Sequence, residues 1–237
     1  MFTIVLPTYN ERENLERFVD ALVGVFELNG LDGRMIVVDD SSPDGTGEIA
    51  DGLSARMENL SVIHRDRKEG IGPAYVAGFK QALKTDTRFI FEMDCDFSHA
   101  PANVLRMLEA ARDADLVLGS RYVPGGTVEN WGLFRKLISR WGGLYARWVL
   151  GIPVNDLTGG LKCFRREVLE SLDLDSVSSH GYGFQIELTF KAIRKGFRVK
   201  EIPINFTDRA LGKSKMSKRI VLEAAVMVWK LRLKPDG

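Results

Sequence analysis

Short apolar runs alternate with one-sided helical patterns over the first 120 residues of the chain. The runs are rich in β-branched residues, and in the segments between them apolar positions recur at i, i+3 and i+4 spacing, as from Leu15 to Phe26. The predicted strands are FTIVLP, RMIVVD, LSVIH, RFIFEM and ADLVLGS, with helical segments between them. This alternation predicts an α/β fold, in which a mostly parallel sheet is flanked by helices on both faces.

Polar residues follow the carboxyl ends of the predicted strands. In chain order these residues are Pro7, Tyr9, Asp39, Asp40, Asp94, Asp96, Ser120 and Arg121. Because open α/β sheets bind ligands beyond the carboxyl ends of their strands, these residues are expected to share one site. The sequence therefore predicts a ligand site that is rich in carboxylates.

The segment FIFEMDCDFSHAP places two carboxylates, Asp94 and Asp96, one residue apart behind a buried strand. Two like charges aimed into one crevice are costly unless a cation neutralises them. A divalent ion with hard oxygen ligands, Mg²⁺ or Mn²⁺, would do so while it bridges a diphosphate. The alternative is a solvated pair of aspartates at a turn.

The segment IVVDDSSPDGT is a second acidic strand end. One of its carboxylates is a candidate to accept hydrogen bonds from a base or a ribose, and the alternative is a turn that caps the following helix. Neither GxGxxG nor GxxxxGK[ST] occurs in the sequence, which argues against a dinucleotide-dependent dehydrogenase and against a P-loop protein.

The composition excludes several further classes. Of 237 residues, 45% are hydrophobic and 27% are charged with a net charge of +1, which argues against disorder and against a globally basic nucleic-acid binder. The two cysteines, Cys95 and Cys163, lack metal-ligand spacing and suggest a reducing compartment. We expect no signal peptide, since acidic residues begin by Glu11, and no membrane span, since no apolar run approaches ~20 residues.

Two segments are basic. The stretch 131–150 contains four cations and no acid, and a helical wheel places its aromatic residues opposite its cations, as in a helix that lies in a membrane interface. The alternative is a core-facing helix with a solvated basic side, broken into two at Gly142–Gly143. From Arg209 to Gly237 there are eight cations and two acids. The loop DRALGKSKMSKR within this region is predicted to fold over a diphosphate, or else is only a solvated basic run.

Together these segments resemble the family-2 glycosyltransferases of GT-A (Rossmann-like) fold, and among them the dolichol-phosphate mannose synthase group. The resemblance covers nearly the whole chain. Its marks are LPTYNERENL, VVDDSSPDGT, MDCDFSHAP, GSRYVPGG, the pair Arg135 and Ser139, NDLTGGLKCFRREVL, GYGFQIEL and DRALGKSK. Eight motifs in the family's order are far more specific than any one of them.

The resemblance implies roles for individual residues. The nucleotide is expected at Pro7, Tyr9, Glu11, Val38 and Asp40; the diphosphate and its Mg²⁺ or Mn²⁺ at Asp94, Cys95 and Asp96; the donor also at Arg121, Arg209 and Lys215; and the acceptor phosphate at Arg135 and Ser139. Asp96, Arg121, Arg135 and Ser139 would be the catalytic group. Ser98 is a further candidate metal ligand, although many relatives have Gln at this position.

The reaction that the resemblance implies is transfer of mannose from GDP-mannose to dolichyl or polyprenyl phosphate, with inversion. A lipid phosphate is already anionic at neutral pH, so the acceptor needs positioning cations rather than a general base. A catalytic domain is expected over residues 1–210, followed by a basic loop and an amphipathic tail over 211–237. The enzyme would lie on the cytoplasmic face of a membrane, with a small membrane anchor subunit as an additional partner and no nucleic acid.

Three other interpretations stay open at this stage. A transferase of the same fold could use UDP-glucose or a hydroxyl acceptor, and for the latter Asp156 is the obvious candidate base. A non-catalytic nucleotide-sugar-binding subunit would not need the pair Asp94 and Asp96. An oxidoreductase is the most distant alternative.

Overall fold

The computed structural model of the chain describes residues 1–177, 179, 181–208 and 218–233. Its strands are β1 (Phe2–Thr8), β2 (Gly33–Asp39), β3 (Leu60–His64), β4 (Phe89–Glu92), β5 (Leu116–Ser120), β6 (Thr127–Glu129), β7 (Lys162–Arg165), β8 (Val199–Pro203) and β9 (Asn205–Thr207). Its α-helices are α1 (Leu15–Asn29), α2 (Thr46–Arg56), α3 (Ile71–Ala82), α4 (Asn103–Ala110), α5 (Leu133–Leu150), α6 (Arg166–Ser171), α7 (Tyr182–Arg194) and α8 (Lys218–Leu233). All five strands predicted for the first half of the chain are present.

Seven strands form one sheet in the order β3-β2-β1-β4-β7-β5-β8, and β6 and β9 form a small parallel pair. Only β7 runs antiparallel to its neighbours in the large sheet. The predicted α/β fold with a mostly parallel sheet is thus confirmed. The second half of the chain contributes two strands to this sheet, one of them between β4 and β5, so it belongs to the same domain.

Helices cover both faces of the sheet, and alternate residues of each central strand point to opposite cores. In β1, Ile4 and Leu6 pack on one side with α1, whereas Val5 packs on the other side against α3. A Cβ atom added to Gly78 of α3 would overlap the side chain of Val5, so this helix lies unusually close to the sheet. The close approach fixes the start of α3 beside the carboxyl ends of β1 and β2.

The helix α5 is continuous through Gly142 and Gly143, so the expected break at these glycines does not occur. Its buried residues are Gly143, Ala146, Val149 and Leu150, and its aromatic side faces solvent. The core-facing alternative for this aromatic side is therefore wrong. Ile138 and Tyr145, which the helical wheel grouped with the exposed aromatic residues, are half-buried instead, and Trp131 precedes the helix and is buried.

The last described helix, α8, packs against α5 and α7 and buries Val228 and Leu231 in the same core as α5. The boundary near residue 210 between a catalytic domain and a tail remains a prediction. None of the helices in the described part of the chain is long and apolar enough to cross a membrane.

Candidate active site

A cleft of about 430 Å³ opens at the carboxyl ends of β1, β2, β4 and β5. Most of the residues predicted to form the site line this one cleft: Pro7, Tyr9, Glu11, Asp40, Asp94, Cys95, Asp96, Ser98, Arg121 and Arg135. The structure therefore brings the motifs together at the sheet edge where the parallel topology was expected to place them. The role of each residue within the cleft remains a prediction.

Sharp turns follow three of the strands that lead to the cleft. Asn10, Ser41 and Phe97 have φ values of 60°, 58° and 59°, in the left-handed region that non-glycine residues seldom adopt. Such a conformation costs roughly 1–3 kcal/mol per residue and persists only where the surroundings hold it. Here each of the three residues is the chain neighbour of a residue that lines the cleft, namely Tyr9, Asp40 and Asp96.

At the β1–β2 end of the cleft, the acidic segment after β2 divides between two roles. Asp40 lines the cleft, and its carboxylate accepts hydrogen bonds from Arg65 and from the backbone N–H groups of Glu69 and Gly70. Asp44 instead accepts from the N–H and hydroxyl of Thr46, in the first turn of α2. The capping alternative thus holds for Asp44. A ligand that binds Asp40 would share its carboxylate with the donors that already bind it.

The ring of Tyr9 lies beneath a cation at the same end. The ammonium of Lys68 is 3.6 Å from the ring centroid, and both residues line the cleft. A cation held over an aromatic face contributes about 0.5–2 kcal/mol, depending on its desolvation. Lys68 was not predicted from the sequence, because one lysine in a charged loop carries no distinguishing pattern.

The pair Asp94 and Asp96 lies on the floor of the cleft. The hydroxyl of Tyr75 donates to Asp94 at 2.9 Å, and the N–H of Ser98 donates to Asp96 at 2.9 Å. Burial and the neighbouring Asp94 charge raise the pKa of Tyr75 well above its ordinary value, so it remains a donor at neutral pH. These bonds help to orient the two carboxylates, and both residues line the cleft.

The donor set fits a divalent cation that a diphosphate helps to hold. Within the described residues, no group of three or more His, Cys, Asp and Glu side chains could bind a metal ion alone. The Ser98 hydroxyl is buried beside the cleft and has no hydrogen-bond partner within the described residues, and its role as an additional oxygen ligand stays a prediction. Two carboxylates and a hydroxyl suit Mg²⁺ or Mn²⁺ when phosphate oxygens complete the coordination.

The remaining predicted residues lie differently. The side chain of Val38 is fully buried in the core and does not line the cleft, whereas Cys95 lines the cleft although it is almost completely buried. Ser139 is not among the residues that line the cleft, and it accepts a hydrogen bond from Tyr122 at 2.7 Å. Arg209 and Lys215 fall outside the described residues, so their predicted contacts with the donor stay predictions.

Arg121 is held rigidly at the end of β5. Its guanidinium donates to both oxygens of Asp156, at 2.7 and 2.6 Å, and to the hydroxyl of Thr158 at 2.8 Å. The side chains of Arg121 and Asp156 are 5% and 0% exposed. Burial alone raises the pKa of Asp156, but the charge and hydrogen bonds of Arg121 outweigh it, so the net shift is downward.

Arg135 projects from the first turn of α5 into the cleft. It donates to the carboxylate of Asp208 at 2.8 Å, and its guanidinium lies 4.0 Å from the centroid of the Trp131 ring. The edge of Trp131 in turn packs against Phe206, and Arg121 lies over both rings at 5.4–5.5 Å. An aromatic wall thus supports two arginines at one end of the cleft, and sequence reasoning missed Asp208 and Phe206, which come from the distant strand β9 and its end.

A buried ion pair lies directly behind the carboxylates. Lys162 of β7 is 3.9 Å from Glu92 of β4, donates to the backbone oxygen of Gln185 at 2.7 Å, and is almost completely buried. Burial raises the pKa of Glu92 to about 7 against the effect of the Lys162 charge, and burial lowers the pKa of Lys162 to about 8. The pair ties β4 to β7 and to the first turn of α7, which borders the cleft.

His99 is a further titratable group of the cleft that sequence reasoning missed. It is 2% exposed, packs edge-on against Phe206, and its Nδ1 has no hydrogen-bond partner within the described part of the chain. Burial lowers its pKa to about 4, so the ring is neutral at pH 7. His99 directly follows Ser98, the last of the predicted metal ligands. In the sequence, only its residue type could have marked it as a candidate for the site.

A cleft with paired carboxylates at the strand ends of a mostly parallel sheet, and with two arginines in its lining, is suited to a nucleotide that binds with a divalent metal. The chain matches Glycosyl transferase family 2 over residues 3–173 and belongs to that family.

Two curated relatives are similar over nearly the full length. The chain is 47% identical to a polyprenol monophosphomannose synthase of Mycolicibacterium smegmatis, covering 98% of this chain and 88% of the relative. It is 46% identical to an undecaprenyl-phosphate mannosyltransferase of Micrococcus luteus, covering 98% and 95%. Among solved structures, glucosyl-3-phosphoglycerate synthase from Mycobacterium tuberculosis, crystallised with Mn²⁺, UDP and glucosyl-3-phosphoglycerate, superimposes with a TM-score of 0.72. Its 21% identity, over 100% of this chain and 81% of that one, confirms the fold.

Proposed function

We propose that this protein transfers mannose from GDP-mannose to a polyprenyl phosphate, dolichyl phosphate included, and gives a polyprenyl-phosphate mannose. The observation that carries the proposal is the engagement of Asp156 by Arg121. The two full-length relatives are a polyprenol monophosphomannose synthase and an undecaprenyl-phosphate mannosyltransferase, which supports the same lipid-phosphate acceptor and the same sugar.

The state of Asp156 bears on the acceptor because it was the candidate base for a hydroxyl acceptor. Both of its oxygens accept hydrogen bonds from Arg121, and its pKa is lowered, so it is a poor proton acceptor. Asp208, the other carboxylate at this end of the cleft, is paired with Arg135. A hydroxyl acceptor would lack a carboxylate base at this end of the cleft, whereas an anionic phosphate needs none.

The two arginines would position that phosphate. Arg121 is fixed by Asp156 and Thr158, and Arg135 is supported by the ring of Trp131. Guanidinium groups bind phosphate oxygens in a forked geometry, so a preset pair would orient the attacking oxygen. Ser139, one turn further along α5, is proposed as a weaker phosphate contact from its side of the helix.

At the other end of the cleft, Asp94, Asp96 and Ser98 would hold Mg²⁺ or Mn²⁺ against the donor diphosphate. When bound, the metal would neutralise the charge that develops on the leaving nucleoside diphosphate. Asp40, Tyr9, Pro7 and Glu11 line the part of the cleft that the nucleotide would occupy. The main chain of Cys95, between the two carboxylates, would contact the diphosphate, and Arg209 and Lys215 are proposed to add positive charge to it.

Transfer is proposed to occur by one displacement at C1 with inversion. Retention by double displacement would need a carboxylate nucleophile beside C1. The carboxylates at the acceptor end are both engaged by arginines, which argues against that route. A β-linked product from an α-linked donor is therefore the expected result.

The setting of the reaction follows from the acceptor. A polyprenyl phosphate lies in a membrane, so the protein is proposed to work at a membrane surface, and we place it on the cytoplasmic side. The same proposal includes a small membrane subunit as an anchor and a basic tail over residues 211–237. It includes no role for nucleic acid.

The decisive experiment measures transfer of labelled mannose from GDP-mannose into solvent-extractable lipid, with polyprenyl phosphate and with Mg²⁺, Mn²⁺ or chelator. We expect metal-dependent label in the lipid and its loss in Asp96→Ala. Binding of Mn²⁺ and GDP to the same variant, measured by calorimetry, should weaken in parallel, which separates a metal-site defect from a defect in acceptor binding. Arg135→Gln should raise the KM for the lipid more than the KM for GDP-mannose.

Each alternative has its own outcome in this assay. If the lipid is labelled from UDP-glucose but not from GDP-mannose, the proposed acceptor stands and the proposed donor is wrong. No label in lipid from either donor, with nucleotide binding intact, would refute the lipid-phosphate acceptor. Retention of anomeric configuration in the product would refute the single displacement.

A further inference from the structure

The exposed apolar side chains of this protein are concentrated on two neighbouring helices. In the part of the chain whose side chains are described, nine large apolar residues are exposed, and eight of them are on α5 and α8. The eight are Leu133, Leu137, Trp141, Leu144, Trp148, Val226, Trp229 and Leu233, here called the α5–α8 platform. The ninth, Leu28, lies at the end of α1.

The platform is built by helical periodicity on both helices. At about 100° per residue, the five platform residues of α5 fall within an arc of roughly 80°, opposite the buried residues Ala146 and Val149. In α8 the exposed residues recur at i, i+3 and i+7 while Val228 and Leu231 face the core. The guanidinium of Arg232 donates to the backbone oxygen of Leu150 at 3.3 Å, which joins the ends of the two helices. A regular outward stripe on packed helices marks an interaction surface.

The chemistry of the platform selects its partner. Three of the four tryptophans of the chain are in it, and tryptophan favours the boundary between lipid headgroups and hydrocarbon. Exposed cations flank the apolar stripes: Lys136, Arg140, Arg147, Lys230 and Arg232. No acidic residue occurs in 133–150 or 226–233. Apolar stripes with a basic border and no acid match an anionic lipid surface.

A second copy of the chain fits this surface less well. Two copies that paired through the platform would bring their basic borders together, with no carboxylate in 133–150 or 226–233 to compensate them, and like charges across an interface oppose association. A bilayer with anionic lipids offers both an apolar phase for the tryptophans and negative charge for the border. The same helix α5 also carries Arg135, so it contributes both to the platform and to the lining of the cleft.

We infer that the α5–α8 platform docks the protein onto an anionic membrane surface, and that α5 thereby holds the cleft at the level of the lipid phosphate groups. The inference deepens the proposed function, because it says how a chain bearing the cleft reaches an acceptor that stays in the bilayer. It does not depend on which sugar is transferred.

The test measures retention of the purified full chain on vesicles without any donor, comparing vesicles of phosphatidylcholine alone with vesicles that also contain phosphatidylglycerol. The wild type should bind the anionic vesicles at low salt and lose much of this binding at high salt. Trp141→Ser/Trp148→Ser should bind at least roughly ten-fold more weakly, since two exposed rings no longer enter the lipid. Arg140→Ser/Lys230→Ser should weaken binding to anionic vesicles by roughly five-fold for each charge removed, with little effect on neutral ones.

Leu28→Ser is the matched control, because Leu28 is 87% exposed and lies on a different helix. It should bind vesicles like the wild type. Binding of GDP and Mn²⁺ by the tryptophan variant, measured in solution, reports whether its cleft is intact. Vesicle binding by that variant at the wild-type level would overturn the inference. So would a dimer of the lipid-free wild type that dissociates on Trp148→Ser, since the platform would then be a protein interface.

Failure of the proposed function has a different signature. If vesicle binding depends on the tryptophans but no mannose is transferred to lipid, the proposed acceptor is refuted and the docking role of the platform stands. Transfer to a short, water-soluble polyprenyl phosphate by a wild type that does not bind vesicles would keep the reaction and overturn the platform.

Discussion

Replacing Asp156 by Asn tests whether this carboxylate positions Arg121 or acts as a base. The substitution keeps the shape of the side chain but removes its charge and one acceptor. Arg121 would then be a buried guanidinium without a counter-ion, because its side chain is 5% exposed and its other hydrogen-bond partner is the neutral hydroxyl of Thr158. We expect the variant to lose both stability and affinity for the acceptor.

The expected loss of stability follows from the burial of the pair. Removing one partner of a buried ion pair costs about 3–5 kcal/mol, and each lost hydrogen bond to a charged group costs about 1.5–3 kcal/mol. For a chain of this size the Tm should fall by roughly 6–20 °C. The pKa of Asp156 is lower in the folded chain than in the unfolded chain. Its contribution is therefore present above the unfolded pKa near ~4, and it is lost as the pH falls through the folded pKa.

The assay is a double-mutant cycle with Arg121→Met, in which the free energy of unfolding of each variant is measured in urea at neutral pH. The Asp156→Asn variant should be the least stable, and the double variant should recover much of the loss because no unpaired charge remains. If Asp156→Asn unfolds like the wild type, while transfer is lost and its pH dependence disappears, the carboxylate is a base and the argument for a phosphate acceptor is wrong.

Two further predictions concern the scaffold behind the cleft. Lys162→Met should destabilise the fold by about 3–5 kcal/mol, because Glu92 loses its counter-ion in the core. The loss should be smaller below the raised pKa of Glu92 than above it, since a protonated Glu92 carries no charge, and urea unfolding of Glu92→Gln/Lys162→Met should show recovery. Equal stability of Lys162→Met and the wild type would contradict this account. Gly78→Ala should destabilise by about 1–3 kcal/mol because its methyl group meets Val5, whereas Gly52→Ala, with open space around it, should stabilise α2 by up to ~1 kcal/mol. Thermal unfolding of both variants decides the sign, and stabilisation by Gly78→Ala would refute the close approach.

The sequence by itself determined the α/β fold and the edge of the sheet that carries the site. Apolar runs such as FTIVLP can be buried on both faces only in a covered parallel sheet, and that topology sends the carboxyl end of each strand to the same edge. Tyr9, Asp40, Asp94 and Arg121 could therefore be placed in one cleft without coordinates. Local periodicity and strand order carry that information, because both are properties of neighbouring residues.

Only the tertiary structure decided which partners each charged residue has. In the sequence Asp156 was a candidate base. Its pairing with Arg121 joins residues 35 positions apart, so no local pattern could predict it. The antiparallel insertion of β7, which brings Lys162 to Glu92, was equally invisible, since strand pairing depends on the whole chain. The periodicity of α5 allowed its aromatic side to face either the core or solvent. In the structure α8 packs on the other side of α5, and the aromatic side is exposed. In each case the deciding energy is a contact between distant segments, which periodicity along the chain does not encode.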